Sequence, residues 1–220
     1  MMNSFDGTSM SKEIPVSGYF YPNKMGRIVL LSLEEIIGKN AFIAILHEAG
    51  LQRYIPDLPP NDLNKQFGFE ELSQIQLALE QVFGPRGGRG VALRAGRVSF
   101  KYGLRDFGPM LGFTDLAFRL APLETKLQAG ADIFANIFNQ FSDQQVRVES
   151  NADQIFWHID RCPICWNRHT DVPVCHLAVG ILQESLYWIS GGKVFSVEET
   201  SCVAKGDSTC SIVIEKQALS

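Results

Sequence analysis

The 220-residue chain is 45% apolar and 20% charged with a formal net charge of −4, the balance of a globular protein rather than a disordered one. A chain of this size is stable without disulfide staples, and it carries no run of Lys and Arg of the kind that phosphate backbones require, so no nucleic-acid partner is expected. The longest apolar runs, such as Ile28 to Leu31 and Ala41 to Leu46, fall far short of the ~20 residues that span a bilayer. The polar start lacks the form of a signal peptide, and the expectation is a cytoplasmic protein with no membrane span.

The first half reads as helical. Ser32 stands three residues before Glu35, the pattern of a capping box, which predicts a helix opening at Leu33 and closing at Gly50. Pro56, Pro59 and Pro60 force a loop. A second helix is predicted from Phe69 to Phe83, with Leu72, Ile75, Leu79 and Val82 on one face. The Gly-rich stretch from Gly84 to Gly90 matches neither a P-loop nor a dinucleotide fingerprint and reads as a connector between helices. Further helices are expected over Val91 to Phe107 and Leu123 to Phe141, the latter with Leu127, Phe134, Ile137, Phe138 and Phe141 in a broad apolar stripe.

The second half changes period. Gln145 to Ser150 and Gln154 to Asp160 alternate as strands do, and a helix is predicted from Val174 to Ile189, stopped at Gly191 and Gly192. Lys193 to Val203 and Thr209 to Lys216 read as a hairpin turning at Lys205 to Ser208. Helices followed by an antiparallel sheet with one crossing helix make an α+β fold. The expected organisation is a flexible segment over 1–20 and a single domain over 21–220, helical over 21–142 and carrying the sheet over 143–216.

All five cysteines fall in the last part of the chain, at positions 162, 165, 175, 202 and 210. An odd number confined to one region, without a secretory signal, suits metal ligation better than disulfides. A hairpin centred on Gly206 sets Cys202 opposite Cys210, with Cβ atoms ~5 Å apart, close enough to share a tetrahedral zinc. Cys175 offers a third ligand, and a hairpin glutamate the fourth. Strand parity favours Glu198, whereas Glu199 reaches the same face only across a bulge. Cys162 and Cys165, as Cys-x-x-Cys, make a candidate second metal or redox site near His158, His169 and His176, and Cys175 is also placed to join that pair.

Pro173-Val174-Cys175, Glu199-x-x-Cys202, Gly206 and Cys210 together resemble the closing pattern of the 4-vinyl reductase domain family. That family includes sensor domains of aromatic-responsive activators and stand-alone proteins linked to bacteriochlorophyll synthesis. The likeness runs from about Arg27 onward, and its specific part is the last 50 or so residues. It implies a fold like the haem nitric-oxide sensor and vesicle-tethering domains, with an apolar pocket between helices and sheet. It also implies a structural zinc held by Cys175, Glu199, Cys202 and Cys210, with Glu199 rather than Glu198 as the carboxylate and a bulge as its corollary. Trp157 occupies the position of a pocket-lining tryptophan, and Phe134 and Phe138 are its expected companions.

The tyrosines that follow the first cysteine ligand in the aromatic sensors are replaced here by Val179 and Ile181, which points to a larger, more apolar ligand than phenol. The expectation is therefore a binding module for a hydrophobic small molecule, a tetrapyrrole intermediate of chlorophyll or bilin type, acting as carrier, sensor or assembly factor. Four cysteine and carboxylate ligands close a zinc site to water, so no catalytic residue is assigned. The alternatives are a 4-vinyl reductase, for which the sequence holds no nicotinamide or flavin fingerprint, and an assembly or signalling partner docking on another protein. A homodimer is expected.

Overall fold

The computed structural model describes residues 14–108 and 120–219. Helices rooted in a short β-pair make the first half: strand β1 (Phe20–Pro22) leads into α1 (Asn23–Ile37) and α2 (Lys39–Glu48), and strand β2 (Lys65–Gly68) leads into α3 (Phe69–Phe107). Then follow α4 (Leu123–Phe141), strands β3 (Gln145–Ser150) and β4 (Gln154–Arg161), helix α5 (His176–Ser190), and the hairpin strands β5 (Phe195–Ser201) and β6 (Cys210–Ala218). β1 and β2 pair with each other, and the other four form an antiparallel sheet in the order β3-β4-β6-β5. Among the described residues, no helix is long and apolar enough to cross a membrane. Most of the N-terminal segment expected to be flexible, 1–13, lies outside the described residues; within the rest, Ser17 donates to Glu70 through both its N–H and its hydroxyl.

Two helix boundaries differ from the sequence expectation, and each has a physical cause. Ser32 is buried inside α1, with its hydroxyl bonded back to the Ile28 carbonyl at 2.7 Å, so it caps nothing. The helix begins at Asn23 because a distant loop supplies its caps: the N–H groups of Asn23 and Lys24 donate to the carbonyls of Asn64 and Asp62, each at 2.9 Å. A break at Gly38, with φ of 77°, separates α1 from α2. A reciprocal cap does occur at α3, where Glu71 accepts the Gly68 N–H at 2.6 Å.

The stretch from Gly84 to Gly90 is not a loop. Only Gly84 leaves the helical region, at φ 71° and ψ 165°, and Pro85 then restarts the helix at a position where no N–H is needed. α3 is thus two helical arms with a kink. The second arm crosses α5 at backbone contact: a Cβ at Gly96 would strike the Leu177 carbonyl, and one at Gly180 would strike the Leu93 carbonyl. This crossing fixes where the start of α5 sits against α3.

Gly180→Ala is therefore expected to destabilise the protein by about 1–3 kcal/mol, because the obstruction is backbone and cannot move aside. Gly90→Ala, on α3 with nothing near its Cβ, should instead raise stability by roughly 0.5–1 kcal/mol through helix propensity. Urea midpoints of the two variants against the parent protein check both signs.

Candidate metal centre and apolar crevice

Four separate chain segments bring the cysteines together. Cys162 and Cys165 sit on the turn that follows β4, Cys175 stands immediately before α5, Cys202 follows the end of β5, and Cys210 opens β6. All five are free and buried. The Sγ–Sγ separations are 3.5 Å for Cys162 and Cys175, 3.4 Å for Cys165 and Cys210, and 3.7 Å for Cys175 and Cys210. Cys202 lies 3.8 Å from Cys175 and 3.9 Å from Cys210. A zinc ion with Zn–S bonds of ~2.3 Å in a tetrahedron requires S–S edges of about 3.8 Å, so these spacings suit a metal ion.

Two overlapping sets of four donors result: Cys162, Cys165, Cys175 and Cys210, and Cys175, Glu199, Cys202 and Cys210. Four buried cysteines can thus hold a metal ion. Cys162 and Cys165 stand against the hairpin cysteines rather than apart from them. Neither set includes His158, His169 or His176. His158 instead faces the Ser211 hydroxyl at 2.8 Å, and burial with Arg89 and Arg168 nearby holds His176 down to about 4.

Between the two candidate glutamates the strand itself discriminates. The β5–β6 register shifts between Glu199 and Ser201, leaving Thr200 as an extra residue, and this re-phases the strand so that Glu199 joins Cys202 on one face. Glu198 is exposed. Glu199 Oε2 accepts the Cys175 N–H at 2.7 Å, while its other oxygen, Oε1, is buried without a partner. Burial, with Cys202 beside it, pushes the Glu199 carboxyl up to about 9. An orphaned carboxylate oxygen aimed among thiols is what a cation would satisfy. Burial likewise pushes the Cys175 thiol up, so thiolates here need a metal to offset their desolvation. The start of α5 at Cys175 and the Val203 N–H, which donates to Cys210 Sγ at 3.3 Å, favour negative sulfur.

Next to this cluster lies an apolar crevice of about 90 Å³. Trp157, Phe134 and Phe138 line it together, with ring centroids 5.2–6.3 Å apart. Sequence reasoning missed the opposite wall: Tyr21 and Met25 at the root of α1, and Phe100, Gly103 and Phe107 on α3. Phe100 and Phe107 stand seven residues apart on one helix face, a spacing that was available to find them. Tyr21 and Met25 were hidden by the misplaced start of α1. The polar exceptions are Ser99 and the pair Tyr21 and Gln144, in which the phenol donates to the amide oxygen. Burial pushes the Tyr21 phenol well above its ordinary range, so it stays neutral.

Residues 155–216, which hold every cysteine and Glu199, match the family model of the 4-vinyl reductase (V-4-R) domain. This part of the chain is a 4-vinyl reductase domain. No curated protein sequence matches the chain. Solved structures of H-NOX proteins share its fold, at low sequence identity. One from S. oneidensis in the Fe(II)NO ligation state has a TM-score of 0.55 and 14% identity, over 88% of this chain and 99% of that one. A Cs H-NOX variant carrying 4-cyano-L-phenylalanine has a TM-score of 0.58 and 14% identity, over 90% and 98%. An Fe(II) unliganded variant from K. algicida has 0.56 and 12%, over 89% and 96%. The 4-vinyl reductase domain thus forms the sheet side of an H-NOX-like α+β fold.

If Glu199 is the metal-facing carboxylate of this domain, Glu199→Gln should weaken zinc affinity about 10-fold or more, and Glu198→Gln should leave it unchanged. Competition titrations against a chromophoric chelator measure both.

Proposed function

We propose that the chain is a small-molecule-binding or sensing domain whose ligand is a hydrophobic compound, a tetrapyrrole of chlorophyll or bilin type, held in the crevice between α1, α3, α4, α5 and β4. The same reading includes a structural zinc on Cys175, Glu199, Cys202 and Cys210, and a homodimer in solution. The observation that carries the ligand reading is the crevice itself, with an almost wholly apolar lining and a few convergent polar groups. The fold supports it, since a structurally similar protein is described by its heme redox potential and porphyrin distortion.

The lining sets terms on that ligand. Haem iron in proteins is most often held by His or Cys, in some cases by Met or Tyr. Among the described lining residues there is no His and no Cys, Tyr21 is kept neutral and engaged with Gln144, and Met25 is a single thioether. The residues present therefore do not fit an iron porphyrin ligated through imidazole or thiolate. They fit a ring held by apolar contact, with Tyr21, Gln144 and Ser99 as its polar partners. The open space of about 90 Å³ is below the ~150 Å³ of a cavity that accepts benzene. A ligand of tetrapyrrole size must spread the walls, and α4, whose Phe134 and Phe138 are only half-buried, is the wall that gives.

Zinc and crevice are joined through short stretches of chain. Ile159 and Ile164 line the crevice beside Cys162 and Cys165, and Leu177 and Ala178 line it directly after Cys175. Stripping zinc with a chelator should therefore lower the thermal midpoint and abolish ligand binding together, with both restored on adding zinc back.

A panel of a metal-free porphyrin, a bilin, a chlorophyllide and phenol tests the ligand. The expected result is an absorbance shift and a stabilisation approaching about 2.7 kcal/mol at a hundredfold excess over Kd for one of the tetrapyrroles. Gly103→Leu should remove that response while stabilising the free protein by about 1 kcal/mol. Gly103 lies on a helix, lines the crevice, and has nothing near its Cβ, so the new side chain fills empty space and improves helix propensity. No shift with any tetrapyrrole would defeat the ligand assignment.

A further inference from the structure

We infer that the cysteine cluster is built for two metal ions, not one: a dinuclear zinc-type centre in which Cys175 and Cys210 bridge, Cys162 and Cys165 complete one tetrahedron, and Glu199 and Cys202 complete the other. The inference deepens the structural-zinc reading above and rests on it for the second tetrahedron.

The geometry is that of two tetrahedra sharing an edge. The two donor sets have Cys175 and Cys210 in common, and those two sulfurs lie 3.7 Å apart. On one side of the shared edge Cys162 stands 3.5 Å from Cys175, and Cys165 stands 3.4 Å from Cys210. On the other side Cys202 stands 3.8 Å and 3.9 Å from the same two sulfurs, and Glu199 is fixed beside Cys175 through its N–H at 2.7 Å. Two edge-sharing tetrahedra have six corners, and the two sets supply six donors between them. A single tetrahedral ion takes four, so one zinc would leave two buried donors without a metal in either arrangement.

Charge points the same way. Five thiolates and one carboxylate carry six negative charges, and one divalent ion would leave about four of them buried, which is costly. Two divalent ions bring the residue down to about two, a load that the N-terminus of the fifteen-residue α5 at Cys175 and the Val203 N–H on Cys210 Sγ help to carry. The Cys162–Cys165 turn has the build of a ligand loop. The Arg168 N–H donates to the Cys165 carbonyl at 3.1 Å, and Asn167 takes a φ of 52° to close the turn. Ser73 ties the next residue, Trp166, to α3 by a bond of 2.8 Å to its carbonyl. Cys162 and Cys165 also border a polar surface groove lined by Asp160, Asn167 and His169, which gives the outer ion a way in.

The test is metal stoichiometry and spin coupling on the full chain, purified reduced. Native mass spectrometry and elemental analysis should give two zinc per chain in the parent protein and one in the Cys162→Ser/Cys165→Ser double variant. Titration of the metal-free parent with Co2+ should give a thiolate charge-transfer band rising to two equivalents. The paramagnetic signal per cobalt should fall as the second equivalent binds, because shared thiolates couple the two spins. One zinc per chain in the parent, unchanged in the double variant, overturns the dinuclear centre and leaves the single-zinc reading standing. Two cobalt ions with undiminished spin overturn the bridging. A parent chain that takes up neither zinc nor cobalt overturns the zinc reading as well. If the double variant does not fold, the parent's stoichiometry and cobalt spectra still decide.

Discussion

Convergence of buried thiols is the constraint on which the rest of the molecule is arranged. Cys162 and Cys165 from the end of β4, Cys175 from the start of α5, and Cys202 and Cys210 from the hairpin meet with sulfurs 3.4–3.9 Å apart. Hydrogen bonds between thiols are weak and would not hold four chain segments at that distance against the desolvation of sulfur and of Glu199. A cation would convert the same atoms from a liability into a clamp. The clamp acts where the sheet has little else to tie it to its covering helix, since α5 is joined to β4 and to β5 by irregular stretches of chain.

The helical half answers the clamp with a rigid contact of another kind. Gly96 and Gly180 let the backbones of α3 and α5 touch, so the N-terminal half of α5 is gripped on one side by cysteine and on the other by α3. With α5 and β4 fixed, the crevice has three firm walls, and Trp157 is 2% exposed at its base. The fourth wall, α4, presents Phe134 and Phe138 half-buried, and aromatic edges packed at 5–6 Å can slide without breaking a hydrogen bond. Firm walls select a ligand, while the yielding one admits it.

Much of the sheet side was legible because its signals are local. Strand alternation, the turn at Gly206 and the Glu-x-x-Cys spacing each act within a few residues, and the two candidate glutamates were separable once a bulge was allowed at Thr200. The helical side was less legible because its determinants are distant. Ser32 and Glu35 carry the local pattern of a cap, but the caps of α1 are carbonyls of Asn64 and Asp62, far along the chain. A stretch rich in glycine and proline looks like a loop until one notes that a single positive φ at Gly84 suffices for the bend and that Pro85 suits a helix start. Spacing likewise says nothing of distance between segments, so nothing in Cys-x-x-Cys could tell whether Cys162 and Cys165 stand apart from the hairpin or against it.

The nearness of cluster and crevice raises one more physical question, which is how an apolar cavity tolerates a nest of anions beside it. Tyr21 lines the crevice and feels both Cys162 and Cys175, each of which raises its pKa further after burial itself. Its hydroxyl is turned to Gln144 instead, so no protein donor reaches from the cavity to the sulfurs through it. In low dielectric an uncompensated thiolate would project its field across the few ångströms to the lining, favouring water there. Neutralising the sulfurs with metal removes that field and allows Ile159, Ile164 and Leu177 to remain the dry wall that an apolar ligand requires. On this argument the ion does more than staple strands to a helix: it sets the polarity of the adjoining cavity, which is why a site closed to chemistry belongs so close to a site for binding.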